Sequence, residues 1–258
     1  MPETNFTNSA PADTEYSVVI PVYNEEGSIV SLCSQVKGVM DQLGKPYEII
    51  LVDDGSEDHS LRNMKTLRRQ IDELIIISLA GHSGKSEALQ CGFDNASGKI
   101  IVTLDGDGQD DPYDIIPMLD RMREGYDLVY GWRHDMRGAF GKRISSRLAN
   151  FARRLITGME VHDVGCPLRV FKKKDIGWLR LSGGLHRYFS TLMKRKGYSV
   201  GEVKVKHYPR HSGSSKYGFF DRLKEGVADL FRISFCDLDA LMQHRRKYKI
   251  EQVIRGKQ

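Results

Sequence analysis

Lys99-Ile100-Ile101-Val102-Thr103-Leu104-Asp105-Gly106-Asp107-Gly108-Gln109 is the stretch on which the reading of the fold turns. After the lysine it is apolar or β-branched through Leu104, the composition of a buried strand. The strand ends on two carboxylates one residue apart, and Gln109 follows two residues later. Such a tip forms a small oxygen-rich concavity. It suits a hard divalent cation that keeps some water and binds a substrate's phosphates. Asp and Gly also end strands merely as turn formers, so the pair takes its meaning from the rest of the chain.

Outward from this stretch, strand-like and helix-like segments alternate. Strands are expected at 16–20, 47–52, 74–79, 99–104 and 127–130, and helices at 25–43, 60–71, 83–95 and 112–123. In the first helix Ile29, Leu32, Val36, Val39 and Leu43 recur at helical spacing. Pro112 sits in a first turn, where a missing N–H costs little. Alternation of this kind predicts an α/β fold built from βαβ units, with a mostly parallel central sheet and helices on both faces. Ligands of such sheets bind outside the carboxyl ends of the strands.

Two more strand ends carry polar chemistry. The first strand runs into Pro21-Val22-Tyr23-Asn24-Glu25-Glu26, the second into Asp53-Asp54-Gly55-Ser56. A carboxylate such as Asp53 can accept hydrogen bonds from a ribose or a base, and Pro21 with Tyr23 can supply a flat apolar wall. Each end taken singly is also an ordinary helix start or capped turn. Three acidic strand ends in one half-sheet are harder to attribute to turn chemistry.

Composition sets looser bounds. The 258 residues are 40% hydrophobic and 28% charged, ordinary for a globular protein. The formal charge of +5 is unevenly distributed, with acidic residues plentiful through Asp120 and Arg and Lys dominant after it. A basic half suits phosphates, a membrane surface or nucleic acid. No nucleic-acid reader motif accompanies it. Cys33, Cys91, Cys166 and Cys236 lack metal-ligand spacing and read as reduced thiols. No run reaches the ~18 apolar residues of a membrane span. Residues 1–14 are polar and read as a disordered arm rather than a secretory leader.

Taken in order, Pro21-Val22-Tyr23-Asn24-Glu25, Val52-Asp53-Asp54-Gly55-Ser56 and Leu104-Asp105-Gly106-Asp107-Gly108-Gln109 resemble an inverting family 2 glycosyltransferase of the GT-A fold. Four later segments resemble the polyprenyl-phosphate glycosyltransferases, the group of dolichol-phosphate mannose synthase and the undecaprenyl-phosphate sugar transferases. They are Gly131-Trp132-Arg133, the block 142–150, the segment Asp163 to Arg169, and Arg210 to Tyr217. The resemblance covers about residues 16–235 and rests on the ordered series rather than on any single motif.

The resemblance implies roles. Pro21, Tyr23, Glu25 and Asp53 would hold the nucleoside. Asp105, Asp107 and Gln109 would hold Mg²⁺ or Mn²⁺ on the donor diphosphate, and Arg210 and Lys216 would close over it. Arg133 and Arg143 would bind the acceptor phosphate, with Ser146 as a weaker candidate. Arginine suits that task because its planar fork binds phosphate oxygens through parallel hydrogen bonds. Asp105, Asp107, Arg133 and Arg143 are thus the residues expected to carry catalysis. Two departures qualify the match. His82 stands where relatives commonly have Asn, which puts a donor contact there in doubt. Gly84-Lys85-Ser86 mimics the end of a P-loop, but Leu79 occupies the place of its first glycine.

The domain reading is a GT-A catalytic domain over 15–215, followed at 216–258 by basic, amphipathic helices facing a membrane interface or a partner. In 219–235, Phe220, Leu223, Val227, Leu230 and Phe231 share one helical face. Such a face can equally pack on the domain's own core. The favoured function is metal-dependent transfer of a sugar from GDP-mannose or a UDP-hexose to a polyprenyl phosphate. The protein is expected at the cytoplasmic face of a membrane, held peripherally or by a membrane-anchored partner subunit. A soluble transferase with a saccharide or protein hydroxyl acceptor, and a non-catalytic nucleotide-sugar-binding scaffold, are the alternatives.

Overall fold

A computed structural model describes residues 13–134, 162, 163, 165–209, 233, 237, 238, 242 and 248–255. Within them the first half alternates as expected. Strand β1 (Tyr16–Val22) leads to α1 (Ile29–Leu43), β2 (Tyr47–Asp53) to α2 (Ser60–Leu67), and β3 (Leu74–Leu79) to α3 (Lys85–Asn95). Next come β4 (Ile100–Thr103), a 3₁₀ turn at Pro112–Asp114, α4 (Ile115–Arg123) and β5 (Leu128–Arg133). Then follow β6 (Arg169–Lys172), α5 (Phe189–Arg195), β7 (Val200–Val205) and β8 (Ile250–Ile254).

The eight strands form one sheet in the order β7-β5-β6-β4-β1-β2-β3-β8. Its centre, β4-β1-β2-β3, is wholly parallel, and β5 pairs β7 in parallel. The other three pairings, β4–β6, β5–β6 and β3–β8, are antiparallel. The sheet is therefore mixed, with a parallel majority. Every residue of β3 is buried, as in a strand covered on both faces. Helix α1 presents Ile29, Leu32, Cys33, Val36, Val39 and Met40 to the core.

Helices α1 and α3 start later than the periodicity suggests, for reasons the loops supply, while α2 opens at Ser60 as expected. Glu25 N–H donates to Ser60 Oγ at 2.7 Å and Glu26 N–H to Asp58 Oδ2 at 3.1 Å, so this segment serves the neighbouring loop before α1 begins. Strands β6, β7 and β8 lay outside the predicted set. The last corrects the expectation of helices throughout 216–258. Ile250–Ile254 pairs antiparallel with β3 and covers an edge that would otherwise be open. Of the intervening stretch, Ile233, Leu238 and Met242 are helical. Ile233 is fully buried, its carbonyl held by Arg195, while Leu238 and Met242 pack against the domain's core. Phe220, Leu223, Val227, Leu230 and Phe231 lie outside the described residues.

Candidate active site

The carboxyl ends of the four parallel strands bring their loops to one edge. At β2 the buried Asp54 carboxylate accepts the backbone N–H groups of Ser83 and Gly84, at 2.7 and 2.9 Å. These lie just before α3, so a carboxylate from another loop caps that helix. This is why α3 opens at Lys85 rather than Ser83. Asp54 Oδ2 also lies 2.9 Å from His82 Nδ1, and the His82 ring stacks on Tyr23 with centroids 4.1 Å apart. The aromatic wall expected from Pro21 and Tyr23 thus gains His82. Asp53 is 1% exposed, and its partners are distant: the Ser56 N–H at 3.3 Å and Ser78 Oγ at 3.4 Å. Burial raises the proton affinity of both carboxyls above the ordinary carboxylate value, and the N–H and hydroxyl donors oppose that rise.

The close approach of these loops depends on Gly55. Its φ is +73°, and a Cβ there would stand 2.7 Å from Gly81 C and His82 N, both backbone atoms. Gly55→Ala should therefore destabilise the protein by about 2 kcal/mol, through strain and overpacking together. Urea unfolding checks this, and an unshifted midpoint would mean that the two loops separate freely.

Around the acidic pair, Gly106 is buried, and a Cβ there would meet the Pro21 carbonyl at 3.1 Å and Glu25 Cγ at 3.5 Å. Ser28 Oγ donates to the Gly106 carbonyl at 2.7 Å. The structure thereby brings together Pro21, Glu25 and the Asp105–Asp107 loop. Lys85 Nζ lies 2.6 Å from the Asp105 carboxylate. The Gly84-Lys85-Ser86 motif, excluded as a P-loop, places a cation at this site by another route. Ser86 anchors that turn, with Oγ donating to the Gly183 carbonyl and lying 2.7 Å from His186 Nδ1. Burial and the nearby charges of Lys85, Arg169 and Arg187 hold His186 well below the ordinary histidine value, so its ring is neutral. On the other side, Asp107 Oδ1 accepts the Gln109 N–H at 3.1 Å.

At the end of β5, Arg133 is engaged by Asp163. Nε donates to Asp163 Oδ2 at 2.6 Å, Nη2 to Oδ1 at 2.9 Å, and the Arg133 backbone N–H to Oδ2 at 3.3 Å. Among the described residues, partners occupy two guanidinium N–H groups, and the remaining three keep their donor capacity. Arg169 is 5% exposed, and its Nε donates to the Cys166 carbonyl at 3.0 Å. It adds a positive charge within electrostatic range of Asp105. Arg143, Ser146, Arg210 and Lys216 lie outside the described residues. Sequence reasoning missed Lys85, the capping role of Asp54 and the partner of Arg133. Only Lys85 had a local signal, as the first helical residue after a glycine at a strand end.

The comparisons with known proteins agree with this architecture. A family model described as Glycosyl transferase family 2 matches residues 17–177. Dodecaprenyl-phosphate galacturonate synthase of Rhizobium johnstonii is 37% identical over 234 residues, which cover 89% of this chain and 69% of that one. Undecaprenyl-phosphate 4-deoxy-4-formamido-L-arabinose transferase of Shewanella sediminis is 34% identical, over 80% of this chain but only 62% of that protein. Among solved structures, mannosyl-3-phosphoglycerate synthase from Rubrobacter xylanophilus aligns with a TM-score of 0.67 at 16% identity, covering 84% of this chain and 72% of that one. Glucosyl-3-phosphoglycerate synthase from Mycobacterium tuberculosis, in complex with Mn²⁺ and UDP-glucose, aligns with a TM-score of 0.64 at 19% identity, covering 87% and 80%. At these identities the structural likeness speaks for the fold, which is the GT-A fold expected from the sequence.

Proposed function

The chain belongs to glycosyl transferase family 2, and from that premise we propose that it transfers a sugar from a nucleotide-sugar donor to a polyprenyl phosphate, with inversion at the anomeric carbon. The wall of Tyr23 and His82, with Asp53 beside it, would receive the nucleoside. Lys85 would place positive charge beside the donor diphosphate. Asp105, Asp107 and the Gln109 side-chain oxygen would supply the hard-oxygen donors that suit Mg²⁺ or Mn²⁺. Among the described residues no group of three or more His, Cys, Asp or Glu could hold a metal by itself. The donor set would therefore be completed by water and donor phosphates, as suits such a cation. When bound, the cation would neutralise charge growing on the departing diphosphate. The manganese held by the Mycobacterium tuberculosis enzyme supports this reading.

The observation that carries the acceptor class is the Arg133–Asp163 pair. A hydroxyl acceptor needs a base, and Asp163 is where the sequence would place one. Its carboxylate instead accepts three N–H groups of Arg133. A phosphate monoester arrives already anionic near neutral pH and needs no such base. Arg133 would orient it with its remaining donors, and orientation with charge stabilisation would carry the rate. The polyprenyl-phosphate acceptors in the names of the relatives support the same class. No helix among the described residues is long and apolar enough to cross a membrane. In this reading the protein works at the cytoplasmic face of a membrane, docked peripherally or held by a membrane-anchored partner.

The test is a transfer assay with labelled GDP- and UDP-sugars and Mn²⁺, with and without polyprenyl phosphate. Labelled product should enter the organic phase only when the lipid is supplied. Transfer to a soluble saccharide instead would move the protein to the hydroxyl-acceptor class.

A further inference from the structure

The loop after the acidic pair is sewn to the segment that follows β7. Tyr208 N–H donates to the Gln109 carbonyl at 2.8 Å, and Gln109 Nε2 donates to the Tyr208 carbonyl at 3.0 Å. Asp110 and His207 form an isolated antiparallel bridge between the two segments. Gln109 Nε2 also lies 3.5 Å from His207 Nε2, and His207 Nδ1 lies 3.6 Å from Asp110 Oδ1. Asp110 is 4% exposed, yet among the described residues neither of its carboxylate oxygens has a hydrogen-bond partner, nor has His207 Nδ1. Beyond the imidazole, the Arg133 guanidinium is within electrostatic range of Asp110.

Burying a carboxylate with so little compensation is costly. What it secures is an orientation. A glutamine side chain can flip, exchanging its oxygen and its NH₂ group. Against the Tyr208 carbonyl, which only accepts, the flipped amide would set two oxygens face to face. Against His207 Nε2 the same holds, provided that nitrogen carries the lone pair. The ring hydrogen then sits on Nδ1, and the Asp110 carboxylate facing Nδ1 favours that tautomer. Each link removes one alternative from the next.

We propose that Asp110 and His207 are positioning residues that hold the Gln109 carboxamide with its oxygen presented to the cation of Asp105 and Asp107. The proposal rests on the metal reading given above and adds to it the group that orients a ligand. Segments about a hundred residues apart in the chain thereby contribute to one cation site.

The experiment is Mn²⁺ affinity of the full chain by electron paramagnetic resonance, with UDP and separately with GDP present. His207→Leu should weaken binding about tenfold, and His207→Gln, whose carboxamide oxygen can accept from Gln109, should restore most of it. Gln109→Ala should give a loss similar to His207→Leu. Adding His207→Leu to Gln109→Ala should change nothing further. Equal losses with and without Gln109 would make the strap merely structural and overturn the proposal. So would unchanged affinity in His207→Leu. Imidazole ¹⁴N coupling to Mn²⁺ in wild type would place His207 among the ligands and also overturn it. If His207→Leu does not fold, Asp110→Asn should give a smaller loss of the same sign, absent in the Gln109→Ala background. Wild type that binds no Mn²⁺ under either condition would defeat the metal reading itself, a result distinct from those above.

Discussion

Asp107→Ala is expected to lower kcat by about a thousandfold, since loss of a cation's charge stabilisation removes several kcal/mol from the transition state. The unfolding midpoint should barely move. Asp107 is half-buried, and its carboxylate accepts the Gln109 N–H within its own turn. Such a bond is worth about 1 kcal/mol, a shift of a few degrees at most in a chain of this length. The separation of the two effects is the point of the experiment. A folding role would move stability and activity together, whereas a cation role moves activity alone. Asp105→Ala is less clean, because it also strands the Lys85 ammonium that lies 2.6 Å away. Thermal unfolding with transfer kinetics over a Mn²⁺ titration checks the prediction. Wild-type turnover in Asp107→Ala would remove the metal from the reaction.

Legibility followed the range of the interactions. Strands β1 to β4 could be read because each is a short apolar run whose end carries polar loop residues, and the parallel order sends those ends to one edge. That sets Pro21, Tyr23, Glu25 and Asp53 at the same sheet edge as Asp105 and Asp107. β6 is four residues long with a charge at each end, Arg169 and Lys172, so no run of apolar side chains marks it. β8 was hidden in a basic tail. Its strand character comes from the open edge of β3, which is a property of the sheet and not of Ile250–Ile254. Lys85 sat in a motif compared only with a P-loop, whose first glycine is missing. Asp54 as a cap, Asp163 against Arg133, and Asp110 against His207 are all contacts between distant segments. No periodicity encodes such contacts.

Asp163→Ala should destabilise the protein by about 3–5 kcal/mol, because it leaves the Arg133 guanidinium unpaired where both side chains are largely buried. At about 2–4 °C per kcal/mol in a chain of this length, unfolding should come on the order of 10 °C earlier. Arg133→Ala should cost a similar amount from the other side of the pair. Neither single variant tells a structural arginine from one that also binds the acceptor, since both lose fold and activity together. The double variant Arg133→Met/Asp163→Leu separates them. Replacing a buried ion pair by apolar residues of similar volume is often close to neutral, so the unfolding temperature should return toward wild type. If the three N–H groups that Asp163 leaves available hold the acceptor phosphate, this stable protein will still fail to transfer sugar to lipid. Donor binding, measured by nucleotide titration, should persist, because the wall of Tyr23 and His82 and the Asp105–Asp107 loop are untouched. A stable double variant with full transfer would reduce Arg133 to a strut of the β5 end and return the acceptor phosphate to Arg143.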